Sequence, residues 1–418
     1  MGNGVSSLRV WARLVGAEQA VVERVSYDAA AEAVVVRVRE YARARRRCGR
    51  CGVPAPLYDR GRGVERRWRA LDLGTTRAFV QAQVVRVSCR RHGPTVAAVS
   101  WARHGSGHTL AFDETVAWLA THTSKSAAAG LMRIAWRSVG AIIARVIADR
   151  ERQVPDRLDE LRRIGIDEVS YRKGHKYLTV VVDHDSGRLI FAAEGRKKET
   201  LAKFFDLLGP ERCTRIALVS ADGADWIADM VALRLPKAKL CMDPFHVVAW
   251  ATDALDAVRR QVWRQARKDG QKGIAEGMAR ARFALWKNPE DLTSRQQAKL
   301  AHIAKTNIPL YRAYLLKEQL RAVFAPGGEE RIELLDEWLI WAARSRLEPF
   351  IELARKMRRY RDDIAHTLTY RLSNGRIESV NTKIRLLTRI AFGFHSVTAL
   401  LALIQLHLGG YARPLPGR

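Results

Sequence analysis

Cysteine is scarce, with five in 418 residues at uneven spacing, which excludes the disulfide-stapled build of small secreted domains and leaves metal binding or plain burial. No apolar run approaches the roughly 18 to 20 residues of a membrane-spanning helix, so no membrane partner is expected. Met1 to Ala20 is broken by Arg9, Arg13 and Glu18 and holds no secretory h-region. A cytoplasmic protein is expected. Acidic residues are in deficit: 44 Asp plus Glu stand against 72 Lys plus Arg, for a formal charge of +28 and a pI near 10.5. Lysine is missing altogether before Lys125, so residues 1–108 draw their positive charge from 20 arginines against 8 acids. A GC-rich genome produces the same bias, but arginine also suits bidentate phosphate contacts. A polyanionic partner follows from this balance, and nucleic acid is the commonest one for a soluble chain, since every phosphate neutralised releases a condensed counterion.

What is present is a globular chain. Its length leaves room for two to four domains, and a 47% hydrophobic content can fill their cores. Residues 20–39 alternate around Val21, Val22, Val25, Val34, Val36 and Val38, and Phe79 to Val87 alternates similarly, which reads as a small β-rich unit. From Phe112 the period becomes helical, over 112–122, 125–132 and 137–149. A charged stretch at 150–162 containing Pro155 reads as a linker. Strands follow at 163–170, 176–183 and 188–194, the last two joined by hairpin chemistry at His184-Asp185-Ser186-Gly187. A helix at 198–208, a strand at 214–220, a helix at 223–234 and a strand at 238–242 complete a mixed sheet with helices on it. Beyond His246 the pattern is helical to about 370, broken at Gly270, Asn288-Pro289, Pro309 and Pro326-Gly327-Gly328. Its tryptophans recur at core spacing.

Three constellations could carry chemistry. Cys48-Gly-Arg-Cys51-Gly and Cys89-Arg-Arg-His92-Gly are two paired knuckles, which together supply the four ligands of a tetrahedral structural Zn²⁺. Arg43, Arg45, Arg46 and Arg47 run directly into the first of them. The helical trio resembles a helix-turn-helix, with 125–132 as first arm and Ser138 to Asp149 as recognition helix, from which Arg137 and Arg145 can reach phosphate or base edges. The strand set contributes acids: Asp167 lies inside the first strand and Asp222 just past a later one. Neighbouring carboxylates without basic partners repel, and divalent cations would offset that cost. A third acid, Glu378, lies after the Asn374-Gly375 turn on a helix that buries Ile377, Val380, Ile384 and Leu387, in line with Asn381, Thr382 and Arg385.

Taken together these residues resemble the ISL-three (ISL3) family of bacterial insertion-sequence transposases. The likeness runs from the first knuckle through Trp101-Ala102-Arg103, Ile166-Asp167-Glu168, Ser220-Ala221-Asp222-Gly223 and Asp243-Pro244-Phe245-His246 to Asn374-Gly375-Arg376-Ile377-Glu378-Ser379-Val380-Asn381 and Gly393-Phe394. It implies an α+β multidomain chain: a β-rich zinc-binding module over 1–108, a helix-turn-helix over 109–150 and a linker over 151–162. An RNase H-like core would then span 163–250 and 371–418, interrupted by an all-helical insertion over 251–370. The resemblance assigns Asp167, Asp222 and Glu378 to a catalytic triad holding two Mg²⁺ or Mn²⁺ ions. Cys48, Cys51, Cys89 and His92 would hold Zn²⁺, with His92 standing where relatives often have cysteine. His246 and Arg385, with the arginines already named, would touch DNA. The implied partner is double-stranded DNA, as terminal inverted repeats and target, bound by a homodimer or higher oligomer. The rivals are a catalytically silent DNA-binding regulator and an RNase H-like nuclease that cuts without joining.

Overall fold

The computed structural model describes residues 7–59, 63–153, 156–326, 330–394, 396–411 and 414–415. Pro155 in the expected linker, and Gly327 and Gly328 in one expected helix break, lie outside the described residues. The chain divides into two compact units, Met1–Asp156 with Lys383–Arg418, and Arg157–Thr382.

The first unit opens with helix α1 (Ser7–Leu14), which packs on strand β1 (Ala20–Asp28). Strands β2 (Ala33–Glu40), β3 (Val64–Leu73) and β4 (Thr76–Val84) complete a four-stranded sheet in the order β1-β2-β4-β3. The valine alternation seen in the sequence is the buried face of this sheet: Val22, Val36, Val38 and Val80 meet Trp68 and Trp101, whose rings pack edge to face 5.5 Å apart. A short hairpin, β5 (Arg86–Cys89) with β6 (Gly93–Val96), carries the second knuckle. Helices α2 (Leu110–His122), α3 (Lys125–Leu131) and α4 (Trp136–Glu151) follow. Thr109 and Ser124 cap α2 and α3 by accepting from the backbone N–H groups of Phe112 and Ala127. Arg133, in the left-handed region at φ 52°, turns the chain sharply between α3 and α4.

In the second unit β7 (Arg163–Arg172), β8 (Lys176–Asp183) and β9 (Leu189–Glu194) run antiparallel. Helices α5 (Lys198–Leu208) and α6 (Pro210–Cys213) lead to β10 (Leu218–Ala221), then α7 (Asp225–Arg234) and β11 (Lys239–Met242). Both later strands are parallel additions, giving the order β11-β10-β7-β8-β9 with β7 in the centre. β10 is shorter than the 214–220 read from apolar pattern, because Gly209 at φ 79° starts a one-turn helix through Cys213 and the backbone then turns again through Ile216. One sheet face is covered by Phe204, Phe205, Leu208, Ile227 and Val231 from α5 and α7.

Helices α8 (Pro244–Lys268), α9 (Lys272–Arg280), α10 (Arg282–Trp286), α11 (Ser294–Thr306), α12 (Ile308–Val323), α13 (Glu330–Ala343), α14 (Glu348–Arg359) and α15 (Arg361–Tyr370) build a helical block with its own core around Trp338, Phe350 and Tyr314. Trp338 donates its ring N–H to the Leu316 carbonyl at 2.8 Å, so it is structural. Helix α16 (Gly375–Ile390) and helix α17 (Val397–Leu408) end the chain. The two units divide inside α16, at Thr382 and Lys383. The reason is apolar: α17 buries Leu400, Leu403 and Ile404 and packs on α4 and α2.

Candidate active site and metal centre

The zinc site is built by two turns. The Cys48 N–H donates to the Val53 carbonyl, Gly52 donates back to Cys48, and Gly52 sits at φ 72°, a conformation that favours glycine. On the other side Cys89 and Gly93 face each other across the β5–β6 hairpin. The Cys48, Cys51, Cys89 and His92 ligand atoms all lie within 4.8 Å of one another. The Cys51 and Cys89 sulfurs are 3.8 Å apart, and His92 Nδ1 is 3.6 Å from the sulfurs of both Cys48 and Cys89. Tetrahedral Zn²⁺ with Zn–S near 2.3 Å and Zn–N near 2.1 Å requires ligand separations of about 3.6 to 3.8 Å, so the set fits that ion. Burial pushes the Cys89 thiol up, but the Arg91 and His92 backbone N–H groups and the His92 ring outweigh it and draw it down to about 6, toward the thiolate a metal needs.

The basic residues expected nearby fare differently. Arg43 lies in the one-turn helix Ala42–Ala44, and its side chain is outside the described residues. Arg45, Arg46 and Arg47 are exposed, and Arg47 donates to the Gly52 carbonyl, bracing the knuckle turn. Arg137 is exposed at the start of α4. Arg145 is not the free contact expected: it is partly buried and ion-pairs at 3.6 Å with Asp113, which is fully buried on α2 and needs a cation. Arg385 is exposed on α16.

In the second unit strand alternation sorts the acids. Ile164 and Ile166 face the α5–α7 layer, so Gly165 and Asp167 face the opposite side of the sheet. There α16 rests on β7. A methyl group at Gly165 would lie 2.2 Å from Ile377 Cδ1 and 2.8 Å from His184 Nε2, so only glycine permits this approach. One consequence is a hydrogen bond from Asn381 Nδ2 to Asp167 Oδ2 at 2.8 Å, across 214 residues. Asn381 is 2% exposed, and its side-chain oxygen has no hydrogen-bond partner among the described residues. Glu378 lies three residues earlier on the same helix and is exposed. Burial and the charge of Asp222 push the Asp167 carboxyl up to about 6, against the Glu168 backbone N–H it accepts and the nearby His246. Asp243, 4% exposed, is raised by burial and by the negative charge of Glu378, and its Oδ2 has no hydrogen-bond partner among the described residues. His246 Nε2 stands 4.0 Å from that oxygen. Asp167, Asp222, Asp243, Glu378 and His246 therefore share one electrostatic neighbourhood, although among the described residues only the zinc set draws its ligand atoms within 4.8 Å.

Two features were not legible beforehand. Asn381 is visible in the sequence only as a neighbour of Glu378; its bond to Asp167 comes from packing. Glu168, opposite Asp167 by alternation, accepts a hydrogen bond from Trp226 Nε1 at 3.1 Å and is raised by burial and then by Asp222. It is therefore coupled to the acidic group from the other face.

Gly165→Ala is expected to destabilise the second unit by about 1 to 3 kcal/mol, the usual cost of overpacking. Denaturant unfolding measures the effect. Wild-type stability would contradict the close approach of α16.

Comparison with known proteins gives a consistent set of likenesses. A family model described as a transposase matches residues 164–404. One described as the helix-turn-helix domain of transposase family ISL3 matches 97–147, and the zinc-finger of transposase IS204/IS1001/IS1096/IS1165 matches 44–92. The chain is 55% identical, over 99% of its length and 98% of theirs, to the transposase for insertion sequence element IS1557 from two strains of Mycobacterium tuberculosis. It is 24% identical to the IS1001 transposase of Bordetella parapertussis, covering 83% of this chain and 86% of that one.

Proposed function

The chain belongs to the ISL3 family of insertion-sequence transposases, and from that premise we propose that its second unit is an RNase H-like core whose Asp167, Asp222 and Glu378 cut and join DNA. The observation that carries the assignment is the Asn381–Asp167 hydrogen bond, because it ties the helix bearing Glu378 to the central strand bearing Asp167. The strand order β11-β10-β7-β8-β9, three antiparallel strands with two parallel additions, supports the RNase H-like reading.

The donor set suits divalent cations: hard carboxylate groups, one of them, Asp167, raised by burial and by a neighbouring carboxylate, with Asn381 and Asp243 oxygens that have no partner among the described residues beside them. Asp167, Asp222 and Glu378 would hold two Mg²⁺ or Mn²⁺ ions, which supply nucleophile activation and charge neutralisation for in-line displacement at phosphorus. Asn381 holds the Asp167 carboxylate in one orientation. His246, beside Asp243 at the start of α8, offers a donor to a DNA phosphate. Hydrolysis at an element end frees a 3′-OH, which then attacks the target strand. No covalent enzyme intermediate is needed.

The first unit reads the ends. α4, with Arg137 at its first turn, would enter the major groove, while Arg43, Arg45, Arg46 and Arg47 and, on α16, Arg385 contact phosphate. The zinc module over 1–108 and the helix-turn-helix over 109–150 divide that work, and the helical block over 251–370 is an insertion in the core. Bringing two ends together calls for two copies of the chain.

Full-length protein incubated with duplexes of its own element ends and Mg²⁺ or Mn²⁺ is expected to nick the ends and join them to a second duplex. Nicking without joining would favour a nuclease. Specific binding without nicking would favour a silent regulator.

A further inference from the structure

The first unit contains a cleft of about 720 Å³ that the reading above leaves unassigned, walled by Arg50, Arg91, Arg103, Arg145, Arg152 and His104. Its walls come from both zinc turns and from α4. Arg152, just past the end of α4, donates to the Arg50 carbonyl at 3.1 Å and so fastens the helix end to the first knuckle. The other side of the cleft is held by Arg103, whose side chain is 7% exposed and which bonds Asp149 at 2.9 Å, pairs with Glu114 and approaches Asp113 at 3.7 Å. Among the described residues no acid lines the cleft. The three acids behind it are already committed: Asp113 to Arg103 and Arg145, Glu114 to Arg103 and Arg150, Asp149 to Arg103 and Arg152. No carboxylate is paired with Arg50 or Arg91 among the described residues. Two buried donors, Arg103 Nη1 and Arg145 Nε, have no hydrogen-bond acceptor among the described residues.

Positive charge in excess, on an open wall whose exposed arginines Arg50 and Arg91 lack a carboxylate, is a site for an anion. Arg50 and Arg91 occupy equivalent places, each immediately before the second ligand of its knuckle, Cys51 and His92. A metal bound by all four ligands fixes both turns and hence the spacing of the two guanidinium groups. We propose that this cleft seats the sugar–phosphate backbone of duplex DNA, with Arg50, Arg91 and the exposed Arg152 each taking a phosphate. The zinc site then sets the register between the zinc module and α4 on the DNA, besides stabilising its own fold. The inference rests on the first unit being the DNA-binding part.

The test uses the full chain and duplexes of its own ends, with affinity followed by fluorescence anisotropy over a series of NaCl concentrations. The double variant R50Q/R91Q is expected to reduce the slope of log K against log salt by about 2, since each phosphate contact contributes about 0.9. Zinc content should stay at the wild-type value. R152Q, outside both zinc turns, should lower the slope by about 1 and keeps the question open to measurement if the double variant loses its metal. Failure of the wild-type chain to bind its ends would overturn the DNA-binding reading itself. Wild-type binding with an unchanged slope in R50Q/R91Q, or in R152Q should the double variant misfold, would overturn the cleft alone.

Discussion

Asp167→Asn, Asp222→Asn and Glu378→Gln should each reduce strand cleavage by roughly a thousandfold, the rate equivalent of the several kcal/mol that metal-held charge contributes to a displacement at phosphorus. End binding should survive in all three, because the substituted residues lie outside the first unit. Nicking of labelled ends in Mn²⁺ and anisotropy on the same duplex separate the two functions. Asn381→Ala should fall between these variants and wild type, since it orients Asp167 through one hydrogen bond. Asp243 gives the experiment its edge. It is buried, has an unpartnered oxygen and feels the charge of Glu378. If Asp243→Asn abolishes cleavage while Glu378→Gln does not, the third acid is Asp243 and the assignment to Glu378 is wrong.

Removing zinc should be as damaging to binding as removing a carboxylate is to cleavage. The segment holding Cys48, Cys51, Cys89 and His92 has short strands and few large buried side chains of its own, and structural zinc supplies on the order of 10 kcal/mol or more of folding free energy in such sites. Purified protein is expected to carry one zinc per chain. Cys51→Ser, or prolonged chelation, should open this segment to proteolysis and abolish end binding. The sheet of the second unit has its own core and should retain its cooperative unfolding transition. Zinc-free protein that binds its ends with wild-type affinity would remove the metal from the account.

Much of the molecule was legible because its signals are local. Cysteine and histidine three residues apart announce a metal turn wherever the chain later goes. Valine alternation announces a half-buried strand, and the chemistry of His184-Asp185-Ser186-Gly187 announces the turn between β8 and β9. Alternation along β7 also settled that Asp167 and Glu168 face opposite ways. The buried stripe of α16 followed from the spacing of Ile377, Val380, Ile384 and Leu387, all of which are buried.

Periodicity states which face of an element is buried, and says nothing of what lies against it; that was left to tertiary structure. Gly165 looks like any strand glycine until Ile377 comes within 2.2 Å of the position its side chain would occupy. Arg145 reads as an exposed helix cation, but Asp113 is buried on the neighbouring helix and an unpaired buried carboxylate is costly, so the pair forms. Arg50 and Arg91 are two among 20 arginines in residues 1–108, and their place in one cleft appears only once the zinc turns and α4 are brought together. The sequence by itself determined the residue types, most of the strands and helices, and the metal turns, because those depend on neighbours a few positions away. Which charges are neutralised, which stay without a carboxylate among the described residues, and which side chain bonds Asp167 were decided by packing between segments as much as 214 residues apart.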